Sequence, residues 1–211
     1  MTDLVSGRYG QANPLWSIFG QATNVNQSDV PGRSNVEVLG GLNTAIATGT
    51  GAASGVANAV MVPVDQGTVI SKVTIYVTAT AASTPTHSYA ALYAGTGSAP
   101  ALITGSQSTD GTTTAIPANA PFTFTLATAQ LITSTNAPNG FVYVSFSFTG
   151  TAQPSMVTVS GPTIGAWGTM VPPTAAPLFF SATHGSAVGG TAPSTIASPS
   201  NVTAAPVVLL T

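Results

Sequence analysis

The chain has 211 residues, of which 44% are hydrophobic and only 4% are charged, against about 25% charged in an average soluble domain. With three basic residues, a net charge of −2 and no cysteine, it lacks the basic surface that binds nucleic acid or anionic membranes, and it has no disulfides. No Lys, Arg, Asp or Glu follows Asp110. Ser, Thr, Asn and Gln therefore supply the polar surface, which suits an assembly or an extracellular surface better than a crowded cytosol.

The first 58 residues predict an extended N-terminal arm and linker. Most of the charged residues lie before residue 38, and Gly, Asn and Pro interrupt any regular pattern. The small residues from 47 to 59 predict a linker or a loose strand. No basic segment followed by an apolar run is present at the start, so we expect synthesis in the cytoplasm without a signal peptide. One apolar cluster, NPLWSIFGQ, supplies the candidate subunit-anchoring residues Leu15, Trp16, Ile18 and Phe19. The alternative is that Trp16 and Phe19 cover one end of the main core.

Residues 59–161 predict an antiparallel β-sandwich of jelly-roll-like type, in an all-β fold. In TVISKVTIYVTAT, apolar residues at 69, 73, 75 and 77 alternate with polar or amphipathic ones, which indicates a half-buried strand. The segments HSYAALYAG, ALITGSQST, FTFTLATAQL, GFVYVSFSFTG and PSMVTVSG predict further strands. Turn residues recur about every 8 to 12 residues, as in sandwiches and barrels.

Residues 162–211 predict a loop-rich C-terminal segment with closing strands. APLFFSATHG and APVVLLT have the composition of strands, and a long Ser/Thr/Pro/Gly loop separates them. The final strand is apolar enough to be buried, either on its own domain or by pairing with a neighbouring chain.

A search for catalytic groups predicts no enzyme, no metal site and no cofactor. His87 and His184 are not in a metal-ligand spacing, and the chain has no nucleophile elbow or phosphate-binding loop. Asp65 and Asp110 each lie close to a turn glycine, which favours a local backbone role. A glycosidase would need two carboxyl groups roughly 5 to 10 Å apart, which sequence spacing does not show.

Aromatic residues leave a binding function open. Four tyrosines lie in predicted strands and are candidate surface-binding residues that could stack on a sugar ring: Tyr76, Tyr89, Tyr93 and Tyr143. The alternative is packing at the rim of a sheet, with the hydroxyl groups in water.

About half of the chain resembles a known family. The segments SKVTIYVTATAASTPTHSYAALYAG, STDG, FTFTL and GFVYV, followed by a PS hairpin, run from about residue 68 to 161. This order resembles β-sandwich domains in virion structural proteins of tailed phages, notably those infecting actinobacteria, which serve as head decorations or minor tail proteins. The resemblance implies no catalytic residues.

The resemblance and the composition together predict a non-enzymatic virion protein. We expect a surface accessory protein on the head, anchored by its arm to major capsid or tail proteins, and homo-oligomeric with a trimer favoured. The alternative is a minor tail or tail-tip protein that binds host cell-surface glycan. A polysaccharide depolymerase is a third hypothesis, which the scarcity of ionisable groups disfavours.

Overall fold

The computed structural model describes the chain from residue 33 onward, with gaps. The described residues are 33–34, 45–50, 52–82, 85–96, 99–112, 114–160, 181–186, 188–202 and 204–211. They form twelve β-strands and no helix. The strands are β1 (Arg33–Ser34), β2 (Ala45–Thr50), β3 (Ala57–Pro63), β4 (Val69–Val77), β5 (His87–Ala94), β6 (Ala120–Leu131), β7 (Phe141–Thr149), β8 (Ser155–Ser160), β9 (Ser181–His184), β10 (Ser200–Asn201), β11 (Ala204–Pro206) and β12 (Val208–Leu210).

Five strands form one antiparallel sheet in the order β10-β9-β3-β7-β5. β7 pairs with β3 on one side and β5 on the other, and residues 141–148 of β7 are all buried. Valine and phenylalanine, which favour strands, alternate in β7 with tyrosine and serine. The sheet therefore presents two chemically different faces, and both of them are covered.

The remaining seven strands form a second antiparallel sheet in the order β1-β12-β4-β8-β11, with β6 on β4 and β2 on β8. β11 pairs with β8 and β12 pairs with β4, so residues 204–211 enter between those two strands. The last residue continues this pairing, since the Thr211 N–H donates to the Lys72 carbonyl and the Lys72 N–H to the Thr211 carbonyl. The apolar end of the chain is thus paired within its own chain.

The predicted all-β sandwich is confirmed: the two sheets pack face to face around an aliphatic and phenylalanine core. The five-stranded sheet contributes Val60, Leu92, Val144 and Phe146, and the other sheet contributes Val73, Ile75, Phe124 and Val208. Alternate residues of β3, β4, β5, β6 and β7 point into this core, as period-2 patterning requires. The strands are not confined to the predicted interval 59–161, because β2 and β9 to β12 belong to the same sheets.

The outer edge of β5 is closed by the segment 101–111 rather than by another strand. Three alternate N–H groups of β5 donate to side-chain oxygens of this segment: Ser88 to Asp110 Oδ1, Ala90 to Ser108 Oγ and Leu92 to Ser106 Oγ, each at 3.0 Å. The fourth, that of Ala94, donates to the Ala101 carbonyl at 2.9 Å. Because an open edge is a template for pairing with other chains, this side-chain ladder protects β5 from association.

A bulge changes one predicted face. Ile70 pairs with Gln130 and Lys72 with Thr125, so the single residue Ser71 is opposite residues 126–129. The shift places Ile70 in the core and leaves Val69 56% exposed beside Leu131, so the prediction that Val69 faces inward was wrong.

The structure describes two further predicted segments, the first of them in part. The segment 47–59, predicted as a linker or a loose strand, lies partly in β2, which pairs over six residues with β8, and its last residues begin β3. The predicted strand ALITGSQST forms only isolated bridges, because its serine side chains cap β5.

Candidate functional site

The main concentration of polar side chains in the described structure lies on the outer face of the five-stranded sheet. Cross-strand neighbours place Tyr93 beside Tyr143, and Tyr89 beside Ser147. On the adjacent strands, Ala57 separates Ser147 from His184. We call this set the polar-aromatic layer: Tyr89, Tyr93, Tyr143, Ser145, Ser147 and His184. All six are buried, together with apolar neighbours such as Met61 and Ala182.

His184 is held in this layer as a neutral imidazole. Its Nε2 lies 2.8 Å from the Ser145 hydroxyl oxygen, and its ring contacts Tyr93 edge to face, with centroids 6.1 Å apart. Only 3% of the residue is exposed. Burial lowers the pKa of His184 to about 4, because the surrounding strands provide no water for the charged form.

The hydroxyl groups of Tyr89 and Tyr93 are also neutral. Burial raises the pKa of Tyr93 far above its ordinary value, and the neighbouring Tyr89 adds to the rise. The Tyr93 hydroxyl donates to the Pro193 carbonyl at 2.7 Å. Burial raises the pKa of Tyr89 to about 12, partly offset by the nearby Ser145 hydroxyl. That contact lacks hydrogen-bond geometry, so the Tyr89 hydroxyl is buried without a partner in the described chain.

In serine hydrolases, a histidine bonded to a serine hydroxyl activates that serine as the nucleophile. The surroundings of Ser145 and His184 differ from those of such a site. Ser145 has no exposed surface, so a substrate cannot reach its hydroxyl in this structure. The neighbouring segments β3, β7 and 185–199 contain no Asp or Glu to orient the imidazole. The arrangement favours a packing role for the pair.

The described residues of the segment 185–199, namely 185–186 and 188–199, cover the polar-aromatic layer, and we call them the cap. Its two ends are held together by β9 and β10, where Ser200 pairs with Thr183 and Asn201 with Ala182. It is therefore an Ω-loop, a compact surface loop whose ends are adjacent. Its apolar residues Val188, Ala192 and Ile196 complete a second core with the sheet beneath.

Gln107 fixes the middle of the cap with both ends of its amide. Its Nε2 donates to the Gly190 carbonyl and its Oε1 accepts from the Ala192 N–H, each at 2.8 Å. Thr149 adds a bond from its hydroxyl to the Val188 carbonyl at 2.8 Å. The cap is thus attached by side chains of the sandwich as well as by apolar packing.

His87 and Asp110 form a second contact with the cap. His87 Nδ1 lies 2.6 Å from Asp110 Oδ2, and the exposed fractions of the side chains are 41% and 26%. Gly190 packs directly on this pair, in a space that a Cβ atom would overfill. Both Asp110 carboxylate oxygens are engaged, one with His87 and one with the Ser88 N–H. This engagement argues against a free catalytic carboxylate at Asp110.

The predicted tyrosine surface is not formed, which corrects the sequence-based expectation. Tyr89, Tyr93 and Tyr143 do lie together, but all three have no exposed surface because the cap covers them. Tyr76 is half-buried and lies on the other sheet, opposite Pro121. The predicted anchoring residues Leu15, Trp16, Ile18 and Phe19 lie outside the described residues.

The outer face of the seven-stranded sheet is rich in hydroxyl groups. Thr74 and Thr123 are cross-strand neighbours whose hydroxyl oxygens are 2.8 Å apart. Lys72 stands next to Thr125 and is exposed. Apart from Lys72, the polar groups named on this face are uncharged hydroxyl groups.

Sequence reasoning missed Ser145, Gln107 and the cap. Alternation placed Ser145 on the face opposite Val144, but it did not show that a loop covers that face. The cap has no periodicity, and its Ser, Thr, Pro and Gly residues are those of any surface loop.

Comparisons with other proteins add no further assignment. Within the described residues, no three His, Asp or Glu side chains lie close enough to hold a metal ion. The same residues include no helix that could span a membrane. No protein-family model matches the chain, and a search of curated proteins gives no significant match.

Proposed function

We propose that this chain is a non-enzymatic structural protein of a phage particle, a surface accessory protein on the head. The observation that carries the proposal is a β-sandwich whose described surface is almost uncharged. Among the described side chains, Asp65 and Lys72 are the charged ones that are exposed, whereas exposed Thr and Ser are numerous. Low charge favours association, so such a surface suits a protein that functions in an assembly.

Three features support this proposal. The resemblance of residues 68–161 to virion β-sandwich domains agrees with the observed fold class. The side-chain ladder on β5 limits uncontrolled pairing at that edge, which a protein present in many copies requires. Subunit interfaces have few charged residues at their centres, and this chain has few charged residues overall.

In this proposal the N-terminal segment anchors the protein to major capsid subunits. Leu15, Trp16, Ile18 and Phe19 supply the apolar contacts, and the sandwich packs with copies of itself, a trimer being favoured. β1 at Arg33–Ser34 pairs with β12, so a deletion of residues 1–32 retains every described strand.

Immunogold electron microscopy of purified particles tests the location. Label distributed over the head is the expected result. Label confined to the tail tip would move the protein to the tail, and absence of label from intact particles would contradict the virion proposal. We do not propose glycan binding by the four tyrosines, since three of them are buried.

A binding assay tests the anchor separately. The chain lacking residues 1–32 is compared with the full chain for binding to particles that lack this protein. We expect the deletion to abolish binding while the far-UV spectrum stays that of a β-protein. A full-length variant with Leu15, Trp16, Ile18 and Phe19 changed to Ser is the matched control, and retained binding by it would exclude the apolar cluster as the anchor.

A further inference from the structure

We propose that the cap, residues 185–186 and 188–199, is acid-sensitive: it opens as a unit when His184 is protonated and exposes the polar-aromatic layer while both sheets stay paired. This inference concerns a conformational device within one chain. It does not depend on the proposed place of the protein in a particle.

The first support is the geometry of the ends of the cap. β9 and β10 keep its two ends adjacent, so the loop can lift without separating them. Sharp changes of chain direction lie near both ends, where Gly185 and Ser198 have φ angles of 70° and 47°. Left-handed backbone at a serine is uncommon and is retained only where the surroundings fix it.

The second support is the kind of contact that would be broken. The hydrogen bonds that attach the cap link it to loops, to strand ends and to side chains. Written from donor to acceptor, they are Val188 N–H to Gly55 O, Thr149 Oγ1 to Val188 O, Gln107 Nε2 to Gly190 O, Ala192 N–H to Gln107 Oε1, Tyr93 hydroxyl to Pro193 O, Leu102 N–H to Ser194 O and Ile196 N–H to Pro100 O. None of these is a pairing bond between two named strands of a sheet. Local opening in such a unit is expected at a lower free energy than global unfolding.

The third support is the position of His184 beneath the cap, without a counter-charge. It faces Ser145 of β7, Ala57 of β3 and Tyr93 of β5, and Tyr89 and Tyr143 are the other titratable residues of the polar-aromatic layer. No Asp, Glu, Lys or Arg occurs in β3, β5, β7, β9, β10 or the cap. A proton on His184 in the closed state would thus be a buried charge with only hydroxyl neighbours, which is costly. Opening brings water to the imidazolium and removes that cost.

The size of the pH effect on cap opening follows from the pKa values of His184 in the closed and open forms. The pKa of His184 is about 4 in the closed structure and about 6.5 when the ring is in water. Acidification raises the population of the open form relative to the closed form. This rise ends once His184 is protonated in the closed form as well. The equilibrium constant for opening therefore rises about 120-fold between pH 7 and pH 4, and approaches a limit of about 240-fold at lower pH.

Asp110 and His87 offer a competing cause of acid opening. The pair contacts Gly190 of the cap, and it contains a carboxylate as well as an imidazole. Asp110 accepts bonds from His87 and from the Ser88 N–H, so its protonation would weaken this contact. The experiment must separate this pair from His184.

Native-state hydrogen exchange of the full chain, corrected for the intrinsic pH dependence of exchange, measures opening directly. The reporters are the backbone amides of Val188, Ala192 and Ile196, which donate hydrogen bonds from the cap to residues outside it. Their opening constants are expected to rise together by about 120-fold between pH 7 and 4, while β3 and β7 amides change far less. Equal rises in β3 and β7 would mean global unfolding and would overturn the proposal.

Two variants identify the sensor. In His184→Gln the side-chain amide can still bond to Ser145 but cannot be protonated, so the acid response of the cap should disappear. His87→Gln is the matched control and should keep the response. Loss of the response in His87→Gln with retention in His184→Gln would overturn the proposal in favour of the Asp110 pair.

A measurement on the unmodified protein tests the same coupling, and its result does not depend on whether a variant folds. The His184 ring proton is titrated by NMR alongside exchange of the cap amides. The two midpoints should coincide, and a cap transition displaced from the His184 titration by more than about one pH unit would contradict the coupling.

Discussion

The two faces of the five-stranded sheet are both buried, yet they are built from different chemistry. The inner face presents Val144 and Phe146 to a core of aliphatic and phenylalanine side chains shared with the other sheet. The outer face presents Tyr143, Ser145 and His184 to a loop. Apolar packing is indifferent to small changes of direction, whereas buried hydroxyl and imidazole groups need partners at defined positions. The inner face therefore determines how stable the sandwich is, and the outer face determines how the cap is seated.

The largest expected effect tests the inner face. Phe146 has no exposed surface and its ring lies 6.0 Å from that of Phe148, so Phe146→Ala leaves a cavity in the shared core. We expect a loss of about 3 to 5 kcal/mol in the free energy of unfolding, measured with urea. Ser147→Ala is the control on the outer face of the same strand, where the hydroxyl makes only a 3.4 Å contact with the Val56 carbonyl. A loss from Ser147→Ala as large as that from Phe146→Ala would contradict the proposed division between the faces.

The second expected effect is a pH dependence that comes from the outer face. The pKa of His184 is lowered by burial to about 4 in the folded chain, below its value of 6.5 in water. Between these values the unfolded chain binds more protons, so stability is full above about pH 6.5 and falls as the pH decreases towards 4. The loss is roughly 3 kcal/mol, seen as the difference between the unmodified chain and His184→Gln in urea unfolding at each pH. Parallel curves for the two proteins would mean that His184 is not buried as a neutral ring.

The third prediction tests the contact between the cap and the Asp110–His87 pair, using substitutions of two adjacent glycines. A Cβ at Gly190 would overlap the Asp110 carboxylate and would lie 2.9 Å from His87 Nδ1. At Gly189 the nearest atom to a Cβ would be His87 Cδ2 at 3.9 Å, an ordinary contact. Gly190→Ala should cost about 1 to 3 kcal/mol and increase exchange of the cap amides, whereas Gly189→Ala should stay within about 0.5 kcal/mol. Equal effects of the two substitutions would show that the cap does not rest on the Asp110 pair.

The contrast between the faces also explains what the sequence could predict. Alternation in GFVYVSFSFTG separates Val144 and Phe146 from Tyr143 and Ser145, and that separation is confirmed. Alternation reports that two environments differ, but not whether the second is water or another layer of protein. The cap that decides this lies more than 35 residues further along the chain, in a segment without periodicity. Because the cap was not predicted, the tyrosines were predicted at a surface. The bulge that turns Val69 outward was not predicted either, because nothing in the sequence of β4 indicates it.

The smallest expected effect comes from two tyrosines of the outer face that differ in their partners. The Tyr93 hydroxyl donates to the Pro193 carbonyl of the cap at 2.7 Å, whereas the Tyr89 hydroxyl is buried without a partner in the described chain. Tyr93→Phe should cost about 1 kcal/mol, because it leaves a carbonyl of the cap unsatisfied. Tyr89→Phe removes a hydroxyl that makes no bond, so its free energy of unfolding should change by less than about 0.5 kcal/mol, or rise slightly. Urea unfolding of the two variants at pH 7 provides the measurement. A loss of more than about 1 kcal/mol in Tyr89→Phe would reveal a bound water at that hydroxyl, and the outer face would then be a hydrated layer beneath the cap.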